Sequence, residues 1–159
     1  MWSADGARLA FGCTLGAILA SRVGDFEICV VNADGTGLRR ITDTHGISAA
    51  GGWSQEGTRI AFASSRDQDP EGVSPCGDLF TVDAEGSRLA KLTDGPARDC
   101  GPSWSPDGRH ILFSSDRADP GGDSDLYVMN PDGSGITRLT HADSEEQEPA
   151  LMPCKRACP

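Results

Sequence analysis

Basic residues are scarce in this 159-residue chain, which has 14 Lys and Arg against 24 Asp and Glu and a formal net charge of −10 at neutral pH. A net negative charge of this size repels phosphate backbones and anionic membrane surfaces, so nucleic acid is not expected as a partner. Long apolar runs are also missing. The longest weakly polar stretch, residues 9–20, falls short of the roughly 20 residues that a membrane-spanning helix needs, so no membrane span is predicted.

Motifs that carry chemistry are missing as well. The sequence contains no Gly-x-Ser-x-Gly elbow, no His-Glu-x-x-His and no glycine-rich phosphate loop of the required spacing. The three histidines, His45, His110 and His141, are scattered along the chain without a partner motif. We therefore expect a noncatalytic protein that needs no cofactor.

Turn-forming residues, in contrast, are abundant. The chain has 20 Gly and 10 Pro, and 37% of its residues are hydrophobic. Frequent turns between apolar segments are typical of many short strands rather than of long helices. The length and apolar content suit one domain with a buried core.

A segment of ten residues occurs three times with its tryptophans 51 residues apart: WSADGARLAF at 2–11, WSQEGTRIAF at 53–62 and WSPDGRHILF at 104–113. A second segment follows each copy: EICVVNADG at 27–35, DLFTVDAEG at 78–86 and DLYVMNPDG at 125–133. A third segment closes each copy: LRRITD at 38–43, LAKLTD at 89–94 and ITRLTH at 136–141. Three matches in the same order indicate an internal structural repeat.

Each repeat predicts four short strands, A to D. Strand A carries the Trp-Ser pair, and the Asp-Gly or Glu-Gly that follows it is a tight turn in which Gly adopts a positive φ. Strand B is the apolar run ending in Phe, strand C follows a longer loop, and strand D carries the Leu-Thr or Ile-Thr pair. About 50 residues that hold four antiparallel strands are typical of one blade of a β-propeller. A β-sandwich is the alternative, but its strands do not repeat in register in this way.

These repeats resemble those of TolB-type propellers, whose WD-like blades carry PSWSPDG, LYVMNPDGSG and RLT signatures. Residues 102–108 and 126–140 match those signatures most fully. The resemblance implies an all-β fold, a partial β-propeller of three four-stranded antiparallel blades that is half of a six-bladed ring. It also implies a noncatalytic protein- or peptide-binding role in the bacterial cell envelope. Two alternatives remain: the propeller domain of a serine peptidase of the prolyl-oligopeptidase or tricorn type, and a truncated, nonfunctional remnant.

The repeat boundaries predict a single domain with blade one at about 1–47, blade two at about 48–98, blade three at about 99–145 and an aborted fourth motif at 146–159. Blade one has little sequence before its tryptophan, so its strand A is expected to be clipped. An open arc leaves an apolar blade face bare at each end, and something should cover it. Two candidates could cover these faces: the rest of a longer protein, or a second copy that closes a 3 + 3 ring. A third possibility is that the arc stays open. Residues 148–152 resemble the strand that blade one lacks, which favours exchange of that strand between two copies.

Six cysteines suggest an oxidising compartment, and with the family resemblance they favour a periplasmic or extracellular location, although no convincing signal peptide is recognised. Cys76 lies in the B–C loop of blade two and Cys100 in the connection that leaves that blade, so the two are predicted to form a disulfide. Cys29 takes a position held by Phe80 and Tyr127 in the other blades. It is expected to pack as a small apolar residue, although Cys13 could approach it.

The B–C loops are the predicted contact surface, because propeller loops vary while strands maintain the fold. The candidate binding residues are Arg66, Asp67, Asp69, Asp116, Arg117, Asp119 and Asp123. Alanine at Asp116, Arg117 or Asp119 is expected to change stability by less than about 0.5 kcal/mol, as at surface positions. The acidic spacing fits no calcium loop, so no metal is predicted.

Overall fold

A computed structural model describes residues 1–14, 26–43, 46–67 and 74–141. These segments contain no helix with the length and apolar character needed to cross a bilayer. Asp69 and the predicted fourth motif at 146–159 lie outside them. The strands are β1 (Arg8–Cys13), β2 (Glu27–Asn32), β3 (Arg39–Arg40), β4 (Ser48–Trp53), β5 (Arg59–Ser64), β6 (Asp78–Asp83), β7 (Ala90–Lys91), β8 (Asp99–Trp104), β9 (Ile111–Ser115), β10 (Asp125–Met129) and β11 (Thr137–Arg138).

The strands form three antiparallel sheets, each with its strands in chain order: β1 to β3, β4 to β7, and β8 to β11. Each sheet is one blade, which confirms the predicted all-β partial propeller. Blade one has three strands, and its strand A is reduced to a bridge between Trp2 and Leu9 and to a hydrogen bond from Ala10 N–H to the Met1 carbonyl at 2.9 Å. Strand A of blade one is therefore shorter than strand A of the other two blades, as the repeat predicts.

Strand D differs in detail from the prediction. The outer strands β3, β7 and β11 have two residues each and end just before the Ile-Thr or Leu-Thr pairs that were assigned to strand D. The threonine hydroxyls instead accept hydrogen bonds from the backbone of strand C, from Ile28 to Thr42 and from Leu79 to Thr93 at 2.9 Å each, and from Leu126 to Thr140 at 3.0 Å. Beyond the end of strand D, the repeated threonine thus provides a side-chain acceptor for the backbone N–H of strand C.

The core consists of two clusters, one on each side of blade two. The cluster between blades one and two includes Ile28, Val30 and Phe62, and the cluster between blades two and three includes Leu79 and Phe113. Because blade two is covered on both sides, every residue of β6 is buried, whereas burial alternates along β10 in blade three. The buried apolar side chains therefore lie between neighbouring blades, and their burial stabilises the packing of one blade against the next.

Blades two and three make a close backbone approach at Gly51 in β4. A Cβ atom there would lie 2.2 Å from the Pro102 carbonyl oxygen in β8, so alanine forces the two inner strands apart. We expect Gly51→Ala to lower the free energy of unfolding by about 1–3 kcal/mol, measured by urea denaturation. Gly12→Ala is the matched control in β1, because its Cβ would meet only the Ser48 carbonyl oxygen at 3.8 Å. Equal stability of the two variants would contradict the close approach.

Candidate binding surface at the loop end of the blades

The B–C loops and the D–A connections emerge at the same end of the blades, because the strands of each sheet run antiparallel in chain order. We call this the loop end, and the opposite end, with the A–B and C–D turns, the turn end. At the loop end Gly77 pairs with Asp99 through Gly77 N–H to Asp99 carbonyl at 3.1 Å and Asp99 N–H to Gly77 carbonyl at 2.8 Å. The B–C loop of blade two is thereby attached to the first strand of blade three.

The predicted disulfide between Cys76 and Cys100 is confirmed, with Cα atoms 4.8 Å apart. It joins the same two segments as the Gly77 and Asp99 pairing, with Cys100 in the first strand of blade three. A covalent bond at this place limits the separation of blades two and three at the loop end.

A second disulfide joins Cys13 to Cys29 across β1 and β2, with Cα atoms 5.8 Å apart. The favoured expectation, that Cys29 is a packed small apolar residue, is wrong in its chemistry, although the side chain is fully buried. The alternative, that Cys13 approaches Cys29, is confirmed. Blades two and three have an aromatic residue at this position and an arginine above it, and blade one has the disulfide instead.

An arginine lies over a pair of stacked aromatic rings at the start of the B–C loop in two blades. The Arg66 guanidinium is 4.0 Å from the centroid of Phe80 and 5.8 Å from that of Phe62, and burial lowers its pKa. A guanidinium over aromatic rings stabilises the fold and fixes the start of the loop. The equivalent stack in blade three consists of Arg117, Phe113 and Tyr127, with 5.0 Å from the guanidinium to each ring.

Arg117 also forms an ion pair with Asp99, in which Nη2 alone contacts the two carboxylate oxygens, at 2.9 and 3.0 Å. The Asp99 side chain is 2% exposed and that of Arg117 is 24% exposed, so the pair is largely removed from water. Most of the Arg117 side chain is therefore engaged in contacts within the protein. The structure therefore assigns Arg117 a structural contact, and its role in binding stays a prediction.

Asp116 was expected at the surface, and that expectation is wrong, because its side chain is 3% exposed. It accepts hydrogen bonds from Arg98 N–H at 2.8 Å, Arg98 Nε at 3.1 Å and Gly121 N–H at 3.2 Å. Burial by itself raises the pKa of Asp116, but these hydrogen bonds outweigh it, and the pKa is lowered. Alanine at Asp116 therefore removes the acceptor that holds the B–C loop, and the expected change below about 0.5 kcal/mol no longer applies.

Lys91 gathers three carboxylates beside the B–C loop of blade two. Its Nζ lies 2.6 Å from Asp94, 2.9 Å from Asp67 and 3.0 Å from Asp78. The hydrogen bond to Asp94 raises the pKa of Lys91 most, with further contributions from Asp67 and Asp78 against the effect of burial. Burial raises the pKa of Asp78, and Lys91 opposes that shift. Asp67 is exposed but is already engaged in this cluster.

Of the predicted contact residues, Asp119 and Asp123 are exposed, and no ion pair to either is found among the described residues. Sequence reasoning missed Asp78, Asp99 and Lys91. A signal for the first was present, because Glu27, Asp78 and Asp125 all begin strand C and all are buried. An acidic residue kept at a buried strand start in three repeats indicates a paired carboxylate.

A cavity of about 230 Å³ lies between blades two and three at the loop end. Small side chains line most of it, and Pro75, Arg98 and the Cys76–Cys100 disulfide complete its wall. Its volume is below the range of about 300–1,000 Å³ that is usual for small-molecule sites, so it suits one side chain of a peptide better than a whole metabolite. No group of three metal-ligating side chains is found in the described part of the chain. The small lining residues are Ala49, Ala50, Ala63, Gly101, Ser114 and Ser124.

Three successive antiparallel meanders, packed face to face, define the chain as part of a β-propeller. The family model described as the TolB beta propeller domain matches residues 71–157, which is more than half of the chain. The chain therefore belongs to the TolB β-propeller domain family.

Three known proteins of similar sequence or structure are considerably longer than this chain. The chain is 35% identical over 82 residues to the Tol-Pal system protein TolB of Syntrophus aciditrophicus, covering 52% of this chain and 17% of that protein. It is 30% identical over 101 residues to the uncharacterized peptidase YuxL of Bacillus subtilis, covering 64% and 15%. The structure of a putative TolB from Agrobacterium tumefaciens superposes with a TM-score of 0.78 at 28% identity, covering 94% and 48%. The chain thus spans about half or less of the length of these proteins.

Proposed function

We propose that the chain is a noncatalytic propeller module that binds a protein or peptide at its loop end. The cavity between blades two and three carries this proposal, because its volume of about 230 Å³ and its small lining residues fit one side chain of a partner. The similarity to a TolB of the Tol-Pal system supports a role in protein contacts. Further blades complete the propeller in this proposal, from a longer chain or from a second copy.

The walls of the cavity are held rigidly, which favours binding by a preformed site. Asp116 holds Arg98, which lines the cavity, and Arg117 holds Asp99, which precedes the lining residue Cys100. The Cys76–Cys100 disulfide forms part of the wall. A preformed site lowers the cost of ordering side chains when a partner binds.

The charge at the loop end predicts the chemistry of the partner. Asp119 and Asp123 are exposed in the B–C loop of blade three, whose Ser124 lines the cavity, and the whole chain carries a net charge of −10. Complementary charge steers association and selects among partners. The proposed ligand is a peptide with one apolar side chain flanked by lysine or arginine.

Binding can be tested with a displayed peptide library that has a fixed leucine between randomised basic and neutral positions. We expect enrichment of basic flanks, and at low salt we expect Asp123→Lys to weaken the selected peptide at least about threefold through charge repulsion, measured by fluorescence anisotropy. Glu56→Lys, the same charge change at an exposed residue of the turn end, should leave the affinity unchanged. Equal weakening by both variants would place the peptide away from the loop end.

A second candidate function is the propeller domain of a serine peptidase, which the similarity to YuxL over 64% of the chain favours. A hydrolase domain encoded in the same reading frame would support it. The remnant hypothesis predicts a noncooperative thermal transition, so a cooperative melt of the purified chain would argue against it.

A further inference from the structure

The two outer sides of the three-blade unit are incomplete copies of an interface that the chain forms twice within itself. We call the side of blade one that points away from blade two the leading face; it contains Trp2, Leu9, Phe11 and Val31. The trailing face is the side of blade three that points away from blade two, and it contains His110, Leu126, Val128 and Leu139. These assignments follow from the alternation of side chains along paired strands, since the opposite sides of blades one and three contribute to the two core clusters.

The tryptophan of strand A shows what the leading face lacks. Trp53 is 8% exposed and lies under the guanidinium of Arg8 in the preceding blade, 4.9 Å from it. Trp104 is also 8% exposed, and Arg59 of the preceding blade is 5.8 Å from its ring. Trp2 has the same repeat position, but no described blade precedes it, and it is 59% exposed.

The glycine of the C–D turn also shows that blade one lacks the contact with a preceding blade that blades two and three have. At Gly86 and Gly133, φ is 85° and a Cβ would meet the carbonyl oxygen of Ile41 or Leu92 in the preceding blade at 3.0 and 2.5 Å. Gly35 has a φ of 84°, yet its Cβ position has nothing within 4 Å. The turn of blade one is therefore already in the docking conformation, without the strand on which it docks in the other blades.

Part of the trailing face lacks the complementary cover, although Leu112 in β9 is only 7% exposed. Leu139 is 51% exposed, whereas Ile41, at the equivalent position beneath the turn of blade two, is 7% exposed. Leu126 and Val128 in β10 are half-buried, whereas Leu79 and Thr81 at the same positions of β6 are fully buried by blade three. The trailing face is thus ready to receive a tryptophan and a glycine turn of the kind that the leading face presents.

We propose that a second copy of this chain covers both faces, with the leading face of each copy on the trailing face of the other, in a closed ring of 3 + 3 blades. An identical chain carries both halves of the interface, and a head-to-tail contact that closes after two copies gives a symmetric dimer. The chain covers 48% of the Agrobacterium TolB structure, so two copies match the length of that single chain. In the dimer Trp2 packs against His110, and the Gly35 turn packs against Leu139.

This dimer takes the chain to be a propeller module, as proposed above, but peptide binding does not depend on it, because the loop-end cavity lies between blades two and three of one chain. Multi-angle light scattering on the 159-residue chain should give twice the monomer mass of 16.7 kDa. A mass of 16.7 kDa at all concentrations would overturn the dimer, and retained peptide binding by that monomer would leave the proposed function standing.

Two variants test each face separately. Trp2→Asp alters the leading face and Leu139→Asp the trailing face, and each should give a folded monomer, because each contact needs one face of each kind. Leu89→Asp is the matched control: Leu89 is 46% exposed, close to the 51% of Leu139, but it lies in the groove between blades one and two. It should remain dimeric, and far-UV circular dichroism should show the same fold for all three. Dissociation of the control to the same extent would overturn the assignment of the faces.

Mixing the two monomeric variants distinguishes a head-to-tail contact from a contact between like faces. A mixed pair retains one unaltered interface, so an equimolar mixture should form dimers that neither variant forms alone. If like faces pair instead, one of the two variants stays dimeric by itself. That result, or a mixture that remains monomeric, would overturn the head-to-tail arrangement.

Discussion

Replacing Asp99 by Ser is expected to lower the free energy of unfolding by about 3–5 kcal/mol, the usual cost of removing one partner of a buried ion pair. The Asp99 side chain is 2% exposed and receives both hydrogen bonds of its pair from Arg117. Without the carboxylate, the Arg117 guanidinium stays against the rings of Phe113 and Tyr127 with its charge uncompensated. Urea denaturation followed by tryptophan fluorescence measures the loss. Serine is chosen because Ser48 occupies the equivalent position in blade two.

A double-mutant cycle separates the ion pair from the packing of the arginine. Arg117→Leu alone leaves Asp99 buried without its partner, whereas Asp99→Ser with Arg117→Leu removes both charges and should be more stable than the sum of the single losses predicts. Arg117→Lys should not restore full stability, because an ammonium group that pairs with Asp99 lacks the planar guanidinium that stacks on the rings of Phe113 and Tyr127. A loss below about 1 kcal/mol for Asp99→Ser would show that water screens the pair as it does at a surface.

The fold was predictable from the sequence because its signals are local and occur three times. The Asp-Gly and Glu-Gly turns fix where strands reverse, and Gly6, Gly57 and Gly108 all have the positive φ that this requires. The apolar runs of strands B and C became buried strands. The uncovered outer faces were also predictable, since a blade buries its sides only against other blades.

The ion pairs of Asp116 and Arg117 were not predictable, because each joins the B–C loop of blade three to a residue at the start of strand A or just before it. Asp116 and Arg117 are neighbours in a polar loop and resemble a solvated surface segment in sequence. In the structure their partners are Arg98 and Asp99, each 18 residues away. These pairs form because the start of strand A lies beside the B–C loop of the same blade. No short sequence pattern shows which residues of the two segments meet.

The Cys13–Cys29 disulfide is another contact that could not be predicted from the sequence alone. Comparison of repeats placed Cys29 where the other blades have aromatic residues, and this correctly predicted burial. The register of β1 against β2 sets Cys13 opposite Glu27 and Phe11 opposite Cys29. The two cysteines are therefore diagonal neighbours on one side of the sheet, close enough for a bond but visible only once the register is known.

Removing the Cys76–Cys100 disulfide is expected to lower the free energy of unfolding by about 3 kcal/mol, because the bond restricts the unfolded chain across a separation of 24 residues. The variant Cys76→Ala with Cys100→Ala should lose this stability in urea denaturation. Hydrogen exchange should increase in β8, because the disulfide and the Gly77 and Asp99 pairing hold the first strand of blade three at the loop end. The loop-end cavity should also become less rigid, so peptide affinity should fall with stability.

The paired variant Cys13→Ala with Cys29→Ala is the matched control, since it removes a bond across 16 residues within blade one. Its loss in free energy should be similar, because the entropy of closure depends only weakly on loop length. Exchange should then increase in β1 and β2 and remain slow in β8, and peptide affinity should hardly change. The Cys76 and Cys100 variant could instead melt at the same temperature as the unaltered protein, with reductant changing neither melting temperature. That result would show that the disulfide between the blades does not exist in solution. Increased exchange spread equally over all three blades would show instead that the blades unfold as one cooperative unit.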